Sequence, residues 1–160
     1  MSAVAVSRFY GVNPEEIKSG IEQYLPTNNR SQVINTKKKN KVIVDCYNAN
    51  PSSMSASLEN LSLLADNNAV AILGDMLEVG ERTQEEHIKI LDQIDSLNIS
   101  QVFVVGSNFA EAVEFSNIES HHFFETVHLA EQLKKNPLEG KTILLKGSRK
   151  MKLEQLLELL

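Results

Sequence analysis

Four short apolar runs constrain the fold of this chain more than any other feature of its sequence. The runs VIV, AVAIL, VFVV and TILL predict strands at Val42–Asp45, Val70–Leu73, Val102–Val105 and Thr142–Lys146. Apolar strands without polar alternation are typical of sheets that are covered on both faces. Segments with a helical pattern separate the runs, and this alternation predicts a mainly parallel sheet with crossover helices. The sequence therefore predicts an α/β domain.

Further elements are predicted around these strands. Helices are expected near Ser53–Ala65, Gln84–Leu97, Asn108–Phe115, Val127–Lys135 and Lys150–Leu160. A fifth strand is expected near His122–Phe124. Thr83 and Glu86 have the spacing of a capping box at the start of the second helix. The segment SQVINTKKKNKVIVDC predicts an antiparallel hairpin at the sheet edge, with a lysine-rich tip at Lys37–Lys41.

Residues 1–30 predict two short helices that precede the sheet. In the segment NPEEIKSGIEQYL, Asn13 suits the helix N-cap and Pro14 suits the first helical turn. Ile17, Ile21 and Leu25 recur every four residues and form one apolar stripe. Because two short helices bury little apolar surface, we interpret them as the tail of a larger unit or as a packing arm.

Composition argues against several classes of protein. The 160 residues suit one main domain, and 42% of them are hydrophobic, which is enough for a core. A formal net charge of -5 argues against a general nucleic-acid or membrane-surface binder. No apolar run is long enough to span a membrane, and the N-terminus lacks the layout of a signal peptide. The single cysteine, Cys46, rules out an internal disulfide and fits a reducing cytoplasm.

Polar loops follow the predicted strands, and they mark the candidate site. The loops are DCYNANPSS, GDMLEVGE, GSN and KGSRKM, in chain order. In a parallel sheet the carboxyl ends of the strands lie side by side, and ligands bind in the crevice beyond them. We therefore expect these loops to surround one crevice.

The residue types in these loops leave alternatives open. Asp45 suits the binding of a ribose diol, or the capping of a turn or helix. Asn48 and Asn50 suit the binding of a ligand amide, or support of the turn through bonds to the backbone. Lys146 and Arg149, with Gly147 to allow close approach of a ligand, suit either an anion site or a solvated basic turn.

Other patterns point less clearly to chemistry. Asp75, Glu78 and His87 have side chains that can bind a metal or act as acid and base, although such a group is common by chance. The segment EGKT resembles the end of a phosphate loop, but Lys135 stands where that motif needs its first glycine. The G-x-G-x-x-G pattern of dinucleotide sites does not follow the first parallel strand.

Three segments resemble, in order and spacing, the C-terminal part of the Mur ligase family. They are DCYNANPSSMSASLE, AILGDMLEVGE with a later histidine, and LLKGSRKMKLEQ. The segment FYGVNPEEIKSGIEQYLPTNNRSQ resembles the part that precedes it, so the resemblance covers nearly the whole chain. It implies a Rossmann-like C-terminal domain in residues 31–160 and the helical tail of the central ATPase domain in residues 1–30. The family's phosphate loop lies in that central domain, which explains why this chain lacks the motif.

The resemblance also implies nucleotide-binding residues. Arg30 matches an arginine at the interdomain junction that reaches the nucleotide. Asp45 matches the acidic residue that binds the ribose. Tyr47 and Asn48 match the loop that faces the nucleotide.

A second set of residues is implied to face the substrates. Asn50 matches the part of that same loop near the incoming dipeptide. The loop near the acceptor substrate is matched by Lys146, Gly147, Ser148 and Arg149. The resemblance implies neither a catalytic residue nor a metal ligand in this chain, and it assigns no role to Asp75 and His87.

The implied chemistry is ATP-dependent amide formation in the cytoplasm. The family member with the best-matched motifs phosphorylates the terminal carboxylate of UDP-N-acetylmuramoyl-tripeptide, and the amine of D-alanyl-D-alanine then attacks the acyl phosphate. ATP and Mg²⁺ serve the full enzyme, with the Mg²⁺ ligands outside this chain. The implied partners are therefore ATP or ADP, both substrates, and the N-terminal and central domains of the same polypeptide, with no nucleic acid and no membrane. The alternatives are a free-standing nucleotide or sugar-nucleotide binding module without catalysis, and a purely structural domain.

Overall fold

The computed structural model describes residues 2–24, 29–65 and 67–160, and a six-stranded sheet lies at its centre. The strands are β1 (Gln32–Asn35), β2 (Lys41–Asp45), β3 (Ala69–Gly74), β4 (Gln101–Val105), β5 (His121–Phe123) and β6 (Thr142–Lys146). Their order across the sheet is β1-β2-β6-β3-β4-β5. Only β1 is antiparallel, and it pairs with β2. The predicted α/β class, the mainly parallel sheet and the antiparallel edge hairpin are confirmed.

Helices cover the sheet on both faces, as the apolar strands require. In chain order the helices are α1 (Ser2–Phe9), α2 (Pro14–Glu22), α3 (Pro51–Leu64), α4 (Thr83–Asp95), α5 (Ser107–Val113) and α6 (Thr126–Lys135). Helices α3, α4 and α5 pack on one face through buried residues such as Leu58, Leu91 and Phe109. Helix α6 and the C-terminal segment pack on the other face through residues such as Leu129 and Leu156. All six residues of β3 are consequently buried.

The order of the strands determines where a crevice opens. The chain leaves β2 through α3 on one face and returns to β6 through α6 on the other face. Strand β6 thus lies between β2 and β3. The connection that leaves β2 and the connection that enters β6 therefore run over opposite faces of the sheet. A divergence of this kind leaves an opening at the carboxyl ends of the adjacent strands.

The C-terminal segment differs from the predicted α-helix at Lys150–Leu160. It consists of two 3₁₀-helices, at Arg149–Met151 and Leu153–Leu159, and Lys152 between them has the left-handed φ of 52°. Leu153 and Leu156 are buried three residues apart. A 3₁₀-helix repeats every three residues, so it directs this spacing toward one face of the sheet better than an α-helix would.

The predicted capping box at Thr83 and Glu86 is wrong. A 3₁₀-turn at Gly80–Arg82 leads directly into α4, so Thr83 is already helical, and no side chain caps the helix. The Thr83 hydroxyl donates instead to the Gly80 carbonyl at 2.7 Å, and the Glu86 carboxylate accepts from the Lys89 ammonium.

The N-terminal helices are short and expose apolar side chains. The predicted cap is present, because the Asn13 Oδ1 accepts a hydrogen bond from the Glu15 N–H at 2.9 Å. Phe9 is 84% exposed and Tyr24 is 67% exposed. Leu25, the third member of the predicted stripe, lies outside the described residues. No helix among the described residues is long and apolar enough to cross a bilayer.

A candidate ligand cleft at the carboxyl edge of the sheet

A cleft of about 800 Å³ lies at the carboxyl ends of β2, β3 and β6. The loop after β2 contributes Tyr47 and Asn48, and the loop after β3 contributes Leu77 and Glu78. The loop after β6 contributes Ser148 and Arg149. The expectation that these loops surround one crevice is therefore correct for three of the four, since no residue of the loop after β4 lines the cleft.

Two guanidinium groups lie near the Tyr47 ring beside this cleft. The Arg30 Cζ is 3.8 Å from the centroid of the Tyr47 ring, and the Arg149 Cζ is 5.6 Å from it. Cations at these distances from an aromatic face are attracted to its π electrons. The same three residues line an adjoining cavity of about 370 Å³. The structure thus brings together residues from positions 30, 47 and 149, and both cations retain donors for an anion.

Asp45 and Lys146 form an ion pair across adjacent strands. Their Cα atoms are register partners of β2 and β6, and the Lys146 Nζ donates to the Asp45 Oδ2 at 2.5 Å. Lys146 also lies 3.4 Å from the Asn48 carbonyl oxygen. The Lys146 side chain is 1% exposed and the Asp45 side chain is 17% exposed. Lys146 is therefore a positioning residue under the cleft, whereas one edge of Asp45 remains accessible.

The junction at residues 29–31 is tied to the end of β2. The Ser31 N–H donates to the Asp45 Oδ1 at 3.3 Å, and the Cys46 N–H donates to the Asn29 carbonyl at 2.9 Å. The first contact is long, so it engages Oδ1 only weakly, whereas Lys146 holds Oδ2.

The two asparagines of the first loop act on the backbone. Asn50 is the N-cap of α3: its Oδ1 accepts from the Ser53 N–H at 2.9 Å, and the Asn50 N–H donates to the Ser53 Oγ. Asn50 does not line the cleft. The Asn48 Oδ1 accepts from the Ala49 N–H, while its Nδ2 lies 3.4 Å from the Glu78 carboxylate. Support of the turn is thus the structural role of both, and Asn48 also presents its amide to the cleft.

Gly147 and Ser148 hold the loop after β6 against the loop after β3. A Cβ at Gly147 would lie 2.9 Å from the Gly74 Cα, so the close approach is to protein backbone and not to the cleft. The Ser148 N–H donates to the Asp75 carbonyl, and the Leu77 N–H donates to the Ser148 Oγ at 2.9 Å. These contacts set the position from which Arg149 reaches the cleft.

Asp75 and His87 are buried next to the cleft and form hydrogen bonds that join the loop after β3 to neighbouring helices. The Asp75 carboxylate accepts the N–H groups of Asn108 and Phe109, both at 3.0 Å, and so ties β3 to the start of α5. A Cβ at Gly106, where φ is 122°, would lie 2.2 Å from the Asp75 Cγ. Glycine at position 106 therefore makes room for this carboxylate.

Both ring nitrogens of His87 are used within the protein. The Met76 N–H donates to Nε2 at 3.0 Å, and Nδ1 lies 2.7 Å from the Thr83 carbonyl oxygen. The ring is consequently neutral, with its proton on Nδ1. Burial lowers the pKa of His87, and this outweighs the opposing effects of the Thr83 carbonyl and of Asp75, 3.9 Å away. The atoms that could bind a metal are thus engaged in structural hydrogen bonds.

Cys46 is buried and unreactive, as expected of a structural thiol. Its Sγ donates to the Leu145 carbonyl at 3.2 Å. Burial, followed by the nearby carboxylates of Glu154 and Asp45, raises the pKa of the thiol to about 12. It is therefore protonated at neutral pH and does not supply a nucleophile.

Three residues of the cleft wall lie outside the loops that were predicted to surround it. They belong to the C-terminal segment and are Lys152, Glu154 and Gln155. They lie in the segment LLKGSRKMKLEQ, whose later half was assigned to a helix with no ligand role. They add a carboxylate and a cation to those of Glu78 and Arg149.

The whole chain is similar in sequence to known proteins. The family model described as "Mur ligase, glutamate ligase domain" matches residues 29–149. The UDP-N-acetylmuramoyl-tripeptide--D-alanyl-D-alanine ligase of Bacillus subtilis (strain 168) is 32% identical, over 99% of this chain and 36% of the relative. This chain thus spans about a third of the length of that relative.

Solved structures agree with this match. A crystal structure of MurF from Acinetobacter baumannii superimposes with a TM-score of 0.82 and 29% identity, covering 97% of this chain and 34% of that one. The MurF ligase of Thermotoga maritima, solved in complex with ADP, shares the fold with a TM-score of 0.78 and 24% identity, covering 98% of this chain and 35% of that one.

Proposed function

This chain belongs to the Mur ligase family, and on that premise we propose that it is the C-terminal domain of an ATP-dependent ligase that joins D-alanyl-D-alanine to UDP-N-acetylmuramoyl-tripeptide. The observation that carries the proposal is the identity of 32% to a ligase with that printed name, which extends over 99% of this chain. The enzyme would act in the cytoplasm, where such a precursor is made.

Exposed apolar surface supports a division of the chain into two parts. We assign residues 1–30 to the helical tail of the preceding central domain and residues 31–160 to the C-terminal domain. The family match begins only at residue 29. Side chains such as Phe9, Tyr10 and Tyr24 are exposed at the end of α1 and just beyond the two helices, and a neighbouring domain would cover them.

The domain would orient two ligands and exclude water. Asp45 would accept the ribose hydroxyls of ATP on the oxygen that faces Ser31, while Arg30 and Tyr47 would contact the nucleotide. Arg149 would contact the substrates in the larger cleft. The ligand-contacting side chains would be kept in position by residues that do not themselves contact a ligand, namely Lys146, Gly147, Ser148 and Asn50. The phosphates and Mg²⁺ would be bound by the central domain, so this domain contributes placement of the amine and closure.

The proposal is tested on the complete ligase by supplying ATP, UDP-N-acetylmuramoyl-tripeptide and D-alanyl-D-alanine. We expect amide product and ADP in equal amounts. The sister reactions serve as controls, with L-alanine, D-glutamate or a diamino acid in place of the dipeptide. Nucleotide binding without amide formation would favour the alternative, a free-standing binding module.

The isolated chain is predicted to be inactive. It carries no phosphate-loop motif, so it should neither hydrolyse ATP nor form the amide, and its affinity for ATP should be weak. The measurement is phosphate release and product formation by the purified 160-residue chain, with the complete ligase assayed in parallel. Stoichiometric turnover by the isolated chain would contradict the prediction.

A further inference from the structure

Glu154 presents a carboxylate oxygen that the protein leaves without a partner. Its Oε2 is inaccessible to solvent and accepts no hydrogen bond from any described residue. Lys152 and Arg149 line the same cleft, yet within the described part of the chain neither forms an ion pair with Glu154. The side chain lines both the large cleft and the adjoining cavity.

An unpartnered carboxylate is unfavourable for folding. Buried polar atoms in native proteins are nearly always hydrogen-bonded, and a charged one loses the most when water is removed. A hydrogen bond from the Cys46 thiol does not relieve Glu154, because that thiol donates to the Leu145 carbonyl. A cationic group of a ligand in the cleft would supply the missing partner of this carboxylate.

The distribution of charge in the cleft indicates the kind of ligand. Arg149, Lys150 and Lys152 supply cations, while Glu154 and Glu78 supply carboxylates. Glu78 already has the Asn48 amide as a partner, which leaves Glu154 as the free acceptor of the two. A zwitterion with an ammonium at one end and a carboxylate at the other matches this arrangement.

We propose that Glu154 binds the ammonium group of the incoming dipeptide and so sets which end of that zwitterion faces the acyl phosphate. This inference rests on the proposed function, because D-alanyl-D-alanine is the amine substrate there. The carboxylate of Glu154 turns from its orphaned position to accept the ammonium, while the cations of the loop after β6 face the dipeptide carboxylate. The nitrogen of that ammonium attacks only after it has lost a proton, and its contact with Glu154 distinguishes it from the rest of the ligand.

The test compares two ligands on the complete ligase and its Glu154→Gln variant. The ligands are D-alanyl-D-alanine and propionyl-D-alanine, in which hydrogen replaces the ammonium group. Dissociation constants are measured by calorimetry with the UDP-tripeptide and a non-hydrolysable ATP analogue present. The wild-type enzyme should prefer the ammonium ligand. Glu154→Gln should weaken D-alanyl-D-alanine on the order of tenfold or more and leave propionyl-D-alanine unchanged, because only a charged hydrogen bond is lost.

Matched controls separate this role from a general effect of charge. Glu158→Gln removes an exposed acid of the same 3₁₀ segment and should change neither dissociation constant. Glu78→Gln removes the other cleft acid, and it should either leave both dissociation constants unchanged or raise both by the same factor. A melting curve should show Glu154→Gln at least as stable as wild type, since an unpaired buried charge has been removed.

Three outcomes would overturn the inference. They are equal weakening of both ligands by Glu154→Gln, unchanged binding of D-alanyl-D-alanine, and a lowered melting temperature, which would reveal a structural partner. Failure of the wild-type enzyme to form the amide with D-alanyl-D-alanine would instead overturn the proposed function.

Discussion

Replacing Lys146 with methionine is expected to destabilise the protein, and adding Asp45→Asn to that variant is expected to restore most of the stability but not the affinity for ATP. Removing one partner of a buried ion pair leaves an uncompensated charge, which typically costs about 3–5 kcal/mol. Because the Asp45 side chain is 17% exposed, we expect a loss toward the lower end, about 3 kcal/mol. The double variant buries no unpaired charge, so its loss should be about 1 kcal/mol.

The affinity of these variants for ATP should not follow their stability. If Asp45 binds the ribose, every variant that carries Asp45→Asn loses a charge-assisted acceptor, which is worth about 1.5–3 kcal/mol. The Michaelis constant for ATP should then rise on the order of tenfold or more in Asp45→Asn and in the double variant alike. If Asp45 only supports the turn, the double variant should bind ATP normally once its stability is restored.

Melting curves and steady-state kinetics on the same complete-ligase variants decide between these roles. Lys135→Met, at the exposed end of α6, is the matched control for loss of a lysine and should behave like wild type. A double variant with unaltered ATP kinetics would remove the nucleotide role of Asp45.

Replacing His87 with alanine is expected to cost on the order of 4 kcal/mol of folding stability. The ring is fully buried, packs edge-on against Phe109 with centroids 4.6 Å apart, and accepts the Met76 N–H. Truncation to alanine would leave a cavity and an unpaired backbone donor, and these losses are about 3–5 and 1–3 kcal/mol in typical cases, with partial overlap. His87→Gln keeps an acceptor near Nε2 and should lose less than half as much. Chemical denaturation of the isolated chain measures the difference, and equal losses for both variants would show that the hydrogen bond contributes little.

His87 also gives the stability a pH dependence with a defined sign. Burial lowers the folded pKa below the unfolded value of 6.5, so between these two values the unfolded state binds more protons. Stability is therefore fully present above pH 6.5 and is lost as the pH falls through the folded pKa. The contribution of Asp75, which opposes the shift, makes the loss smaller. The slope between neutral and mildly acid pH should decrease in His87→Gln, and an unchanged slope would assign the acid sensitivity to other groups.

Much of the fold was predictable because its signals are local. The apolar runs of β2, β3, β4 and β6 follow from the requirement that a sheet covered on both faces has no polar face. The hairpin and the helix start at Pro14 follow from the backbone preferences of a few neighbouring residues. The predicted capping box at Thr83 was wrong because a preceding 3₁₀-turn had already supplied the helical conformation.

By itself the sequence determined that polar loops follow the strands of a parallel sheet, since hydrophobic periodicity and the geometry of parallel strands require their carboxyl ends to meet. Only the tertiary structure decided which loop residues face the cleft and which face inward. Lys146 meets Asp45 although they are 101 positions apart in the chain. Gly147 is opposed by the backbone of Gly74, and Glu154 reaches the cleft from a 3₁₀-helix. These orientations depend on strand register and on the packing of segments that are distant in the chain. Neither can be recognised from the hydrophobic periodicity of the neighbouring residues.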